Sequence, residues 1–115
     1  MEDYRNAAVI EAYEIVQTVQ ILLASGRTFR LEVVKNMTGT RIGEHHVDTY
    51  ERQSLFKGPK GEISSTRMQS GIEFYVWVRD IDLPTNTYYR STPEAAISMA
   101  LALLTERRNN QNSQW

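Results

Sequence analysis

The chain has no cysteine, which excludes disulfide staples, thiolate metal sites and a cysteine nucleophile. Small secreted domains usually rely on cystines, so this lack points to a reducing compartment, read here as the cytoplasm. Nor is one sign of charge in excess. Thirteen basic against 14 acidic side chains leave a formal charge of −1, so no global field draws the chain to nucleic acid or anionic lipid. No segment approaches the ~20 uninterrupted apolar residues of a membrane span. The apolar stretch nearest the N-terminus is broken by Glu11, Glu14, Gln17 and Gln20. Met1-Glu2-Asp3-Tyr4-Arg5 lacks the basic start of a signal peptide. A phosphate loop, a dinucleotide fingerprint, a G-x-S-x-G elbow and an H-E-x-x-H helix are all missing. No catalytic role, cofactor or metal is therefore expected.

What is present suits one soluble domain. Its 115 residues, 41% of them hydrophobic, are enough to bury roughly two-thirds of the unfolded surface. Residues 1–108 are read as that domain. The chain turns polar at Arg107 and is expected to fray from there, with 109–115 as a flexible tail ending in Trp115.

From Asn6 to Ser25, the positions Ala8, Val9, Ala12, Tyr13, Ile15, Val16, Val19, Leu22 and Leu23 recur at helical spacing, with Gly26 placed as a C-cap. Thr28 to Lys35 alternates as a strand, and Asn36 to Thr40 makes a hairpin loop in which Gly39 can take positive φ. Arg41 to Ser54 reads as a bent strand, Lys57 to Glu62 as a turn, and Glu62 to Met68 as a short strand. Gly71 to Arg79 is the clearest strand, with Ile72, Phe74, Val76 and Val78 facing the core and Glu73, Tyr75, Trp77 and Arg79 facing away. Asp80 to Asn86 is a loop and Thr87 to Arg90 a last short strand. Ser91-Thr92-Pro93-Glu94 then opens an alanine- and leucine-rich helix to Leu104 with a capping box. The expected fold is α+β: an antiparallel sheet of three to five strands, flanked in sequence by two helices that share one face.

His45 and His46 are adjacent, so in a regular strand they point to opposite faces and do not share a metal. Glu11 and Glu14 form at most a solvated carboxylate pair, and Asp80 and Asp82 belong to turn chemistry. Two surfaces remain. Tyr75 and Trp77, with Tyr88 and Tyr89 in the following segment, make an aromatic sheet face of the kind that anchors protein interfaces. Lys57, Lys60 and Arg67 around the Gly-Pro turn, with nearby aromatics, make a possible nucleic-acid face, though acidic residues interleave with them.

The order helix, three strands, Ala/Leu-rich helix is similar to that of the double-stranded-RNA-binding domain, over most of the chain. That family has a lysine cluster where this chain has Ser91-Thr92-Pro93-Glu94, and a Gly-Pro-x-His loop where it has Met37-Thr38-Gly39-Thr40. Asp82-Leu83-Pro84 followed by Ser91-Thr92-Pro93-Glu94-Ala95-Ala96 resembles HicB-type antitoxins over fewer than twenty residues. The favoured function is a non-catalytic protein-binding or regulatory module, self-associating as a homodimer or part of a small complex, with no membrane partner. The alternative is a nucleic-acid binder with the RNA-binding-like topology.

Overall fold

The computed structural model describes residues 8–109. It is mostly antiparallel sheet with one C-terminal helix: β1 (Tyr13–Leu22), β2 (Thr28–Asn36), β3 (His45–Lys57), β4 (Ile63–Ser64) and β5 (Ile72–Arg79). A 3-10 turn (Pro84–Thr87) leads to α1 (Pro93–Leu104), which runs on through a π turn (Thr105–Asn109).

No N-terminal helix is found among the described residues, so the expected α-β-β-β-α order does not hold. With it goes the topology on which the likeness to the RNA-binding domain rested. Tyr13–Leu22, the middle of the segment given to that helix, form β1 instead. Ile15, Val16, Thr18, Val19 and Ile21 are β-branched, which favours strand over helix. The helical spacing has a local cause: a bulge between Ile15 and Gln17 breaks the register with β2. Before it, Tyr13 and Ile15 lie on one face; after it, Val19 and Ile21 lie on the other. An alternation that changes phase once looks like a period near 3.6. Gly26, with φ +89°, closes the β1–β2 hairpin rather than capping a helix.

β3 is the spine. Its first half pairs with β2, from Lys35↔His45 to Phe29↔Glu51. Its second half pairs on the opposite edge with β5, from Tyr50↔Arg79 to Lys57↔Ile72. The third strand expected over Glu62–Met68 shrinks to two residues, paired with Phe56 and Lys57. Past β5, the expected strand Thr87–Arg90 is only a bridge between Arg90 and His45.

α1 covers one end of one face. Ala96, Ala100 and Leu104 lie in the core against Phe29, Leu31, Val33, Val47 and Leu83. The two alanines let the helix backbone approach the sheet closely. Thr92, not Ser91, is the N-cap, and its hydroxyl accepts the Ala95 N–H at 3.2 Å. A buried hydroxyl chain ties the 3-10 turn to β3: Thr85 donates to the Val47 carbonyl (2.7 Å), and Thr49 lies 2.9 Å from the Thr85 hydroxyl. Fraying does not begin at Arg107, because Arg108 binds Asp80 through two bonds of 2.8 and 3.0 Å. Trp115 and the rest of the expected tail beyond Asn109 lie outside the described residues.

Candidate functional site

Alternation along β2, β3 and β5 sorts their side chains to the two faces. Phe29, Leu31, Val33 and Val47 face α1, and the register puts Ile72, Phe74, Val76 and Val78 on that same side. These four lie beyond the helix, however. Ile72 is 72% exposed and Val78 40%, while Phe74 and Val76 are half-buried. The apolar side of β5, expected to be core, is an uncovered strip, since no N-terminal helix to lie on it is found among the described residues.

The opposite face carries Arg30 and Glu32 from β2, His46, Asp48, Tyr50 and Arg52 from β3, and Glu73, Tyr75, Trp77 and Arg79 from β5. Cations and rings interleave there. The Arg30 guanidinium lies 4.9 Å from both the Tyr50 and the Trp77 ring, and Arg52 lies 4.5 Å from Tyr75. Such contacts hold the rings upright and keep the arginine stems over apolar surface. Tyr75 is still 55% exposed. Tyr88 and Tyr89 do not join this pair. Tyr88 sits under Arg90 (5.9 Å) and Tyr89 under Arg41 (4.7 Å). Among the described residues, neither makes a ring contact with Tyr75 or Trp77.

Tyr89 instead belongs to a cleft that the sequence did not reveal. Tyr13, Ile15, Glu32, Val34, Asn36, His46, Asp48, Arg79, Asn86 and Tyr89 line an open hollow of about 440 Å³. A second hollow of about 290 Å³ shares Asp48, Arg79 and Asn86. His46 is held edge-on between Tyr13 and Tyr89, at 6.3 and 5.6 Å between centroids. Burial pushes its pKa below the usual imidazole value of 6.5; Asp48 opposes that shift and Arg79 adds to it. Asp48 is held by Arg79 at 2.8 Å and lies 3.9 Å from the His46 Nε2, too far for a hydrogen bond. The imidazole is therefore neutral near pH 7 and has no carboxylate to orient it as a base. His46 and Asp48 share a face by the alternation of β3, and Glu32 by that of β2, an alternation visible in the sequence. Tyr13 and Tyr89 reach them only through a mis-read strand and a loop.

The other candidates separate. Asp80 is the partner of Arg108. Glu14 lies on β1, so Glu11 and Glu14 do not share a helix turn. No group of three His, Cys, Asp or Glu able to hold a metal occurs among the described residues. Lys57 ends β3, Lys60 follows in the turn with its backbone N–H 3.4 Å from a Glu62 carboxylate oxygen, and Arg67 lies over Phe56 at 5.2 Å. These three bases share one end of the sheet with Glu62, far from Arg30 and Tyr50.

The remaining feature is an edge. The Asp80 N–H bonds to the Thr49 carbonyl (2.8 Å), and His45 and Arg90 exchange both backbone bonds along the same side of β3. Odd-numbered β3 residues therefore point their backbone at β5, where their partners are Ile72, Phe74, Val76 and Val78. In an antiparallel ladder the intervening residues point the other way. Glu73, Tyr75, Trp77 and Arg79 thus present backbone N–H and C=O groups outward, with no strand beyond them among the described residues. Among the described residues, no helix is long and apolar enough to cross a membrane.

No family model matches the chain, and no curated protein or solved structure matches it either.

Proposed function

We propose that this protein is a non-catalytic interaction module that takes up a strand from another polypeptide along β5. The observation that carries the reading is the coincidence on one strand of a bare edge, an uncovered apolar side and an aromatic side. Natural sheets blunt their edges with lysine, proline, bulges or a covering element. Of the other two edge strands, β1 carries a bulge and β4 is only two residues long. β5 has an unbroken register over its whole length and contains no lysine, proline or glycine. An added strand would satisfy the outward backbone groups of Glu73, Tyr75, Trp77 and Arg79, and its side chains would reach Ile72 and Val78 on one face and Tyr75 on the other. Main-chain bonds then give affinity and side-chain pockets give selectivity. The nucleic-acid alternative is less well supported, because the faces of Tyr50, Trp77 and Tyr75 are already taken by the protein's own arginines, leaving bases little to stack on.

Tyr75→Pro tests the reading. Its N–H points outward, so proline there removes an edge donor without breaking a bond to β3. Strand-like peptides selected from a displayed random library should bind the wild type at least tenfold more tightly than the variant, while circular dichroism of the two stays alike. Recovered peptides that bind both equally, or no recoverable binder, would refute strand uptake at β5.

A further inference from the structure

We infer that the strand taken up by β5 is the β5 of a second copy, in an antiparallel pair whose two-fold axis passes through Val76; this inference rests on the strand-uptake reading above. Residues facing one another across an antiparallel pair must lie on the same face of the sheet. A symmetric pair must therefore centre on a single residue, so that facing positions differ by an even number. With Val76 at the centre, Glu73 faces Arg79 of the other copy, and Tyr75 faces Trp77. On the helix side, Phe74 faces Val78, and Val76 meets itself. Each opposing pair is then complementary: acid with base, ring with ring, apolar with apolar.

Neighbouring registers lose this match. Centring on Tyr75 sets Glu73 against Trp77 and leaves Arg79 facing Gly71. Centring on Trp77 sets Phe74 against Asp80 and Glu73 against Ile81. The outward backbone groups agree with the Val76 register too, since Glu73 to Arg79 and Tyr75 to Trp77 become its hydrogen-bonded pairs. Arg79 is free to serve both the cleft and this contact, because its side chain is 47% exposed while it holds Asp48. A formal charge of −1 opposes association only weakly. The axis stands perpendicular to the sheet, so both α1 helices rise on one side, flanking an apolar floor made from the two uncovered β5 strips.

The natural absence of cysteine allows a clean test by single introduced thiols. At a non-hydrogen-bonded antiparallel position the facing Cα atoms lie about 4.5 Å apart, within disulfide reach. Mild oxidation of Val76→Cys should give a covalent dimer within minutes. Phe74→Cys and Val78→Cys should each remain monomeric on the gel, and should cross-link only when mixed. As a non-covalent check, Glu73→Arg should weaken dimerisation at least tenfold by light scattering, and adding Arg79→Glu should restore it. A dimer that cross-links best at another position, or that ignores Glu73→Arg, would overturn the register. A wild type that stays monomeric at high concentration would overturn the second copy as partner. In either case peptide binding, sensitive or not to Tyr75→Pro, decides strand uptake by itself.

Discussion

At the scale of single residues, the informative groups are polar side chains whose surroundings fix their chemistry. His46 is the clearest. Burial between Tyr13 and Tyr89 lowers its pKa, and the charges it faces, Asp48 and Arg79, act in opposite directions; Glu32 lines the same cleft. A base whose folded pKa lies below its unfolded value gives full stability above the unfolded value. As pH falls through 6.5 and on toward the folded value, the unfolded chain binds the proton first and that stability is lost. We therefore expect the urea midpoint of the wild type to fall between about pH 7.5 and about pH 5.5, and to fall further than that of His46→Phe, which keeps a ring between the tyrosines. Equal pH dependence in the two proteins would mean that His46 contributes none of it. Arg108 is informative in another way. Its polar neighbourhood in sequence suggests fraying, yet two bonds to Asp80 tie the end of α1 to the exit of β5.

At the scale of elements, α1 and β1 show opposite degrees of legibility. The helix itself is legible because its proline and its apolar period agree over one continuous segment, although the cap falls on Thr92 and not on the expected Ser91. Its contact with the sheet depends on two small residues, Ala96 and Ala100, both fully buried. Ala100→Leu would push α1 off the sheet, and overpacking of this kind costs about 1–3 kcal/mol. The expected result is a clearly lower thermal midpoint with unchanged helix content at low temperature; an unaltered midpoint would show that the helix is not packed there. β1 is misread because one bulged residue inverts which face its apolar residues occupy, and the pairing that identifies a bulge lies in β2, not in β1 itself.

At the scale of the whole molecule, the sheet is longer than the helix that covers it. The Cα radius of gyration is 17.6 Å, against ~13 Å for a compact domain of this length. Because β2 and β5 occupy different halves and opposite edges of β3, one end is a two-layer core and the other a single layer. Local stability should follow that division. Hydrogen exchange in dilute solution is expected to be slow around Leu31 in β2 and much faster at Phe74 and Val76, although all lie within regular ladders. Raising the concentration should slow exchange at Tyr75 and Trp77, whose amides point outward. Uniform exchange across the sheet, insensitive to concentration, would contradict both the division and the pairing.

Local chemistry alone determined β2, β5, α1 and their facing patterns. Alternation and capping are properties of a few adjacent residues, and a strand reports its two sides whatever it packs against. It could not determine what those sides would meet. Whether Ile72 and Val78 are core or surface depends on how far a helix twenty residues away extends over the sheet. Whether residues 13–22 coil or extend depends on β2 offering a ladder. The cleft around His46 gathers side chains from β1, β2, β3, β5 and a loop. Contacts between distant segments settle these points, and only the assembled sheet brings those segments together.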